Sequence, residues 1–170
     1  MKKYLGFVLT ILLFAGCNVN SYDLQYEHEG VIYMNNSELP ELSRQNDFYV
    51  PAYSDIYYET MTNRTYLTVI LSLRNISFSD TLYFDKIEYY SSNGELLRQY
   101  IDKVLLLRPM ESMEFIVETA EREGGSGANF VVGYKAKEDF KNKPLIETIM
   151  MGNLDNYRFS FSSRGIEINN

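Results

Sequence analysis

The clearest order along the chain is a hydrophobic period of two. Between Tyr66 and Leu73 the odd positions are Leu67, Val69, Leu71 and Leu73, while the even ones are Tyr66, Thr68, Ile70 and Ser72. Successive side chains of a strand point to opposite faces, so this run predicts a β-strand with one dry face. A second alternating run, residues 82–91, meets Asn93-Gly94 and resumes over residues 95–101. Asn-Gly between such runs predicts a hairpin, because both turn positions take φ > 0. A two-residue loop there pairs Ser92 with Glu95, sets Tyr89 opposite Arg98 and Ile87 opposite Tyr100, and gathers Ile87, Tyr89, Leu96 and Tyr100 on one face.

The same reading predicts strands over residues 104–107, over Met113, Phe115 and Val117 after a turn at Pro109-Met110, and over residues 129–136, 145–152, 157–161 and 165–168. Helical periodicity is nearly absent; residues 137–142 have room for one turn of helix, which Pro144 would end. About eight or nine short strands without crossover helices predict an all-β fold, an antiparallel β-sandwich of immunoglobulin-like kind, with a partly open β-barrel as the alternative.

The N-terminal region has a different pattern. Met1-Lys2-Lys3 is a positive start, residues 4–14 form an apolar stretch, and Ala15-Gly16-Cys17 places small residues before the chain's one cysteine. The stretch is too short to span a bilayer and has the length of an export signal. Leu13-Phe14-Ala15-Gly16-Cys17 resembles a bacterial lipobox, with Phe14 where such boxes usually carry Leu. The expected organisation is therefore a lipoprotein signal peptide over 1–16, an acylated Cys17 with a flexible tether over 17–47, and a single β-sandwich domain over 48–170. Within the tether, Val31-Ile32-Tyr33-Met34 is read as spacer, with a short edge strand as the alternative, and His28 as solvated. Acyl chains on Cys17 would hold the protein to a membrane, and Asn18 after it favours the outer membrane by resemblance to enteric lipoprotein sorting.

Composition narrows the function classes. There are 16 Lys and Arg against 23 Asp and Glu, a net charge of −7 that deepens when Lys2 and Lys3 leave with the signal, so nucleic acid is not an expected partner. One His, one Cys and no Trp cannot build a zinc cluster, a disulfide framework or a Ser-His-Asp triad. No cofactor and no metal are expected, and no Asp-x-Asp-x-Asp-Gly calcium loop is present.

Four features are candidates for binding. Gly124, Gly125, Ser126, Gly127 and Asn129 form a glycine-rich run just before a strand, where backbone amides can approach an anion; the lack of a following Lys and helix excludes a phosphate loop, and a tight connection is the alternative. Tyr57-Tyr58 and Tyr89-Tyr90 are adjacent pairs, each of which sends one ring outward; Tyr58 and Tyr90 are the candidate contact tyrosines for sugars or proteins. Arg164, beside Gly165, can clamp a carboxylate or phosphate or tie down its own strand. Glu114 and Glu118 share the wet face of their strand, and paired carboxylates are the chemistry a hydrolase would need.

The runs Tyr49-Val50-Pro51-Ala52-Tyr53-Ser54, Leu71-Ser72-Leu73-Arg74-Asn75, Tyr89-Tyr90 with Asn93-Gly94, the run from Gly124 to Phe130, Glu147 to Gly152 and Ser160 to Gly165 together resemble a family of bacterial envelope proteins known as domain of unknown function 3124, over residues 48–168. The resemblance implies an envelope location, often on lipoproteins, and a domain extent; it implies no activity. The expected function is a lipid-anchored envelope protein that binds or scaffolds an envelope protein or a glycan. The alternative is a carboxylate-dependent or metal-assisted hydrolase of cell-surface polymer.

Overall fold

A computed structural model describes residues 30–168 of the chain. The expected export signal over 1–16, Cys17, Asn18 and His28 lie outside the described residues. Twelve strands are formed: β1 (Ile32–Met34), β2 (Arg44–Pro51), β3 (Asp55–Tyr58), β4 (Thr60–Arg74), β5 (Leu82–Tyr90), β6 (Leu96–Gln99), β7 (Val104–Leu107), β8 (Ser112–Val117), β9 (Asn129–Ala136), β10 (Leu145–Leu154), β11 (Tyr157–Arg164) and β12 (Ile166–Ile168). One 3-10 turn, η1 (Asn36–Glu38), precedes β2. Among the described residues no helix is long and apolar enough to cross a membrane.

The strands make two antiparallel sheets that do not close into a barrel, so the fold is a β-sandwich. The first sheet runs β1-β7-β5-β9-β2-β12, with β6 also on β5; the second runs β11-β10-β4-β3, with β8 also on β4. The long strand β4 serves the second sheet twice, pairing β3 along its first half and β8 along its second. Its alternation sets the core: Leu67, Val69, Leu71 and Leu73 are all buried and face Phe48, Val50, Phe84, Phe130 and Val132 of the first sheet. Tyr134 lies between two aromatic neighbours, 5.9 Å from Phe48 and 6.4 Å from Phe84 between ring centroids.

Two crossings sew the sheets together. At Gly165 the chain steps from β11 in one sheet to β12 in the other, and the Gly165 amide donates to the Ile146 carbonyl at 2.9 Å. A Cβ there would stand 3.1 Å from Val50 Cγ2 and 3.3 Å from that carbonyl, so the step has room only for glycine or a small shift of its neighbours. The second crossing is a hydrogen bond. Thr148, buried on β10, donates its hydroxyl to the Pro51 carbonyl of β2 at 2.6 Å.

The structure corrects the sequence reading in three places. The stretch 17–47 is not all tether: β1 pairs with β7, Ile32 opposite Leu106, and β2 begins at Arg44. The hairpin does not close as a two-residue loop. Ser91 pairs with Glu95 through a 2.9 Å hydrogen bond, Gly94 has φ +79° while Asn93 stays at negative φ, and a bulge at Leu96-Leu97 then restores Tyr89 opposite Arg98. This is the three-residue loop with a left-handed glycine, one of the common alternatives to the two-residue turn. Residues 137–142 make no helix, only a turn closed by the Phe140 amide on the Lys137 carbonyl at 3.1 Å, because Phe140 is drawn into the core.

Because strands of both sheets run nearly end to end, the sandwich has two distinct ends. The lower end carries loop 75–80, turn 108–111, loop 137–144 and the entry of the chain at Gly30. The upper end carries the β5–β6 hairpin, the glycine-rich run and the β10–β11 hairpin. Replacing Thr148 by Val keeps the shape but leaves the partly buried Pro51 carbonyl without this donor, and should cost about 1–3 kcal/mol, checked by urea denaturation. A change under about 0.5 kcal/mol would remove this bond from the list of stabilising links.

Candidate functional site

On the outer face of the second sheet, toward the upper end, β4, β10 and β11 form a groove of about 750 Å³. Register explains its floor. Thr68 lies opposite Met151, and Met151 opposite Ser160, so these three side chains share the outward face across three strands. Thr68 and Thr119 share a hydrogen bond at 2.6 Å that fixes one margin. Beneath the groove Gly152 lets Leu67 and Phe159 close over the backbone, since a Cβ there would come within 2.4 Å of Leu67 Cδ2 and 2.8 Å of Phe159 Cζ. Any larger residue at 152 would push the floor outward.

Arg64 and Arg158 line this groove, and Arg122 stands beside its Tyr66. Arg64 is held: Nη1 donates to Asp55 Oδ2 at 3.0 Å, Nη2 to the Tyr57 hydroxyl at 2.6 Å, and its guanidinium lies 4.8 Å from the Tyr57 ring centroid. The Tyr57 hydroxyl, and after it the Asp55 charge, raises the Arg64 pKa further. Arg122 stacks over Tyr66, with its guanidinium carbon 4.3 Å from the ring centroid. Arg158 stands exposed on β11, opposite Asn153. Neither Arg122 nor Arg158 forms an ion pair with another described residue. Among the described residues Asp155, at φ +52° in the β10–β11 hairpin, is the one carboxylate that lines the groove.

The glycine-rich run lies elsewhere on the upper end and is stitched into the fold. Ser92 donates its amide and its hydroxyl to the Gly124 carbonyl at 2.8 and 2.9 Å, and Ser54 does the same to the Gly125 carbonyl, each at 3.1 Å. The Gly127 amide donates to Ser92 Oγ at 2.8 Å. A Cβ on Gly124 would stand 2.0 Å from the Tyr89 hydroxyl and 2.7 Å from Ser54 Oγ, and Gly125 sits at φ +79°. The tight-connection alternative therefore accounts for these glycines, while Ser126 makes no hydrogen bond to another described residue. Asn129 pairs with Tyr90 across β9 and β5, so the structure does bring those two predicted residues together beside the run.

The others are dispersed. Tyr90 faces outward as expected and donates its hydroxyl to Glu88 Oε2 at 2.7 Å, which raises its pKa. At Tyr57-Tyr58 the more exposed ring is Tyr57, the one under Arg64; Tyr58 is half-buried and its hydroxyl bonds to Glu59, which raises its pKa. Arg164 is exposed on β11 opposite Glu147, at the strand's lower end and away from Arg158. Glu114 is exposed on β8 with Glu118 just beyond it, on the face opposite the buried Met113, Phe115 and Val117. Beside the glycine run a smaller cavity of about 320 Å³ is lined by Tyr89, Leu97, Arg98, Glu121 and Glu123, and Arg98 pairs there with Glu121. Among the described residues no group of three or more His, Cys, Asp or Glu is placed to hold a metal ion.

A family model described as protein of unknown function, DUF3124, matches residues 45–168. The chain belongs to the DUF3124 family. Its match begins one residue into β2 and ends with β12, so the DUF3124 domain is the sandwich without β1 and η1. Comparison with curated proteins gave no match. One solved structure, the Thermotoga maritima 1070 protein, is similar at 8% identity over 71% of this chain and 92% of the other, with a TM-score of 0.39, too slight a likeness to carry an argument. The groove arginines were missed by sequence reading. The even positions Tyr66 and Thr68 were legible as the wet face of β4, but nothing in the pattern brings Arg64, Arg122 and Arg158 to it.

Gly124→Ala should destabilise by about 1–3 kcal/mol, a fall in Tm of roughly 3–10 °C, while Ser126→Ala stays within about 0.5 kcal/mol. Equal melting of the two variants by calorimetry would contradict the packing role. A second expectation concerns alkaline pH. Burial pushes the Tyr100 phenol up to about 12. A phenol that keeps its proton longer when folded gives stability that is whole below its unfolded value of about 10 and is lost as pH rises toward the folded one. Tyr100→Phe should therefore flatten the decline in stability between about pH 10 and about pH 12, measured by denaturation at several pH values.

Proposed function

We propose that this DUF3124 protein is a lipid-anchored component of the bacterial envelope whose sandwich binds envelope material through the arginine-bordered groove. Anchoring rests on the lipobox-like run ending in Cys17 and on the resemblance to a lipoprotein family; the outer membrane is the favoured address. The observation that carries the binding role is charge. In a chain of net charge −7, Arg158 lines the groove and Arg122 stacks on its Tyr66, and neither forms an ion pair with another described residue.

Such a groove selects a particular chemistry. Guanidinium groups hold carboxylates and phosphates by charge-assisted, paired hydrogen bonds. Asn153, Thr68 and Ser160 add donors and acceptors for hydroxyl groups across an open, shallow floor. An extended anionic glycan of the envelope matches this set, with an acidic envelope protein as the other expected partner. A hydrolase would require a second carboxylate beside Asp155, and the groove supplies none among the described residues.

The test is binding of the 18–170 chain to uronate- or phosphate-bearing glycans, with neutral glycans of similar length as the comparison. Arg158→Ala should weaken binding to the anionic polymer about tenfold, and added salt should weaken it further. Binding that is equal for neutral polymers, or unchanged in Arg158→Ala, would overturn the groove assignment. For the anchor, Cys17→Ser should abolish metabolic labelling with an alkyne fatty acid, and persistent labelling would exclude it.

A further inference from the structure

The lower end of the sandwich displays three apolar side chains on a rigid mount. Phe78 is 86% exposed, Met110 60% and Ile76 42%. Exposed apolar clusters on otherwise polar proteins mark contact sites, and their backbone here is unusually well fixed. Buried Asn75 donates through Nδ2 to the carbonyls of Asp80, Leu107 and Arg108 at 2.7, 3.0 and 3.1 Å, and its Oδ1 accepts from the Ser77 amide at 3.0 Å. The Met110 amide donates to the Ser77 carbonyl at 3.2 Å, which ties loop 75–80 to turn 108–111. Met110 is held at φ +64°, a conformation that methionine rarely adopts, and Arg108 clasps Glu111 across the same turn. The two loops are one unit that buries Asn75 and Ser77 and turns Ile76, Phe78 and Met110 out.

The second observation is where the chain enters. β1 runs beside β7 with Ile32 opposite Leu106, so Gly30 emerges at the lower end; a Cβ on it would stand 3.9 Å from Arg108 Nη2, beside the same turn. Only Asn18 to Glu29 separate Cys17 from this point, twelve residues that reach no more than about 45 Å even when fully extended. The fifteen residues of β4 alone cover about 50 Å, so the upper end stands a strand's length farther off.

We propose that Phe78, Met110 and Ile76 form a membrane-facing foot, which seats the lower end of the sandwich in the interfacial layer of the bilayer that holds the Cys17 lipid. The proposal rests on the lipid-anchor reading above and adds a docking surface to it. Apolar side chains at the acyl–headgroup boundary gain from burial, and the tether supplies the proximity that so small a patch could not secure alone. Beside the patch Arg108 is paired with Glu111, and in loop 137–144 at the same end Lys137 and Lys141 are balanced by Glu138 and Asp139, so the contact is chiefly apolar and should depend little on anionic lipid. It also fixes polarity: the arginine groove and the hairpins face away from the membrane.

The test uses the acylated mature chain in phosphatidylcholine vesicles, with an environment-sensitive fluorophore on Phe78→Cys or, as control, on Met61→Cys, an equally exposed site (88%) at the upper end. Cys17 is blocked by its lipid, so each variant carries one reactive thiol. A blue shift and quenching by shallow acyl-chain nitroxides at 78, with water-like emission at 61, is the expected result, and it should persist when phosphatidylglycerol is added. Flotation with the vesicles but water-like emission at 78 would overturn the foot while leaving the anchor intact. Failure to float would overturn the anchor and the foot with it. A photo-crosslinker at 78 that captured a protein in cells, rather than lipid, would assign the patch to a protein contact and overturn the proposal.

Discussion

One stripe of four side chains organises the molecule. Leu67, Val69, Leu71 and Leu73 are fully buried on β4, and every neighbour of that strand inherits its register from keeping them dry. β10, β8 and β3 all pair with β4, so a slip of one residue would turn four leucine and valine side chains to water and expel three pairings at once. The first sheet is then fitted over the stripe by Phe48, Val50, Phe84, Phe130 and Val132. The crossings at Gly165 and from Thr148 to Pro51 take advantage of this fixed spacing, since each depends on a close approach that a loosened core would not hold.

What was legible in the sequence follows from this. Strands with one dry face announced themselves: β7 and β9 came out with the expected bounds, and Met113, Phe115 and Val117 are buried in alternation as read. Strands without a dry face did not. Ile32 and Tyr33 of β1 stay exposed at a sheet edge, so they leave no alternation to find. The hairpin shows a subtler loss. A loop one residue longer and a bulge of one residue cancel, so Tyr89 still faces Arg98 although the turn has a different form. Of the candidate residues, Asn129 and Tyr90 meet as cross-strand partners, whereas Gly124, Gly125 and Gly127 are explained by contact with Ser54, Ser92 and Tyr89. The groove was beyond sequence reading because its cations come from β4, from the connection after β8 and from β11, and only the folded sheet brings them to one place.

The two ends of the sandwich are built from different chemistry. Serine and glycine hydrogen bonds close the upper end, where Arg122 and Arg158, which form no ion pair with another described residue, are exposed. At the lower end Asn75 gathers carbonyls inward and leaves apolar side chains outside. A β-sandwich needs only its inner faces to fold, so its two rims are free to differ in this way.

The short strand β1 has a mechanical meaning. Three residue pairs on β7 join it to the sheet, and the next strand in the chain, β2, lies across the sheet beyond β7, β5 and β9. A pull that arrived through the N-terminal segment would therefore load β1 first, and β1 would separate before the strands of the core. Its release frees residues 31–43, about 40 Å of chain when extended. β1 would thus act as strain relief, an extension of the chain ahead of β2 that leaves the groove and the core beneath it in shape.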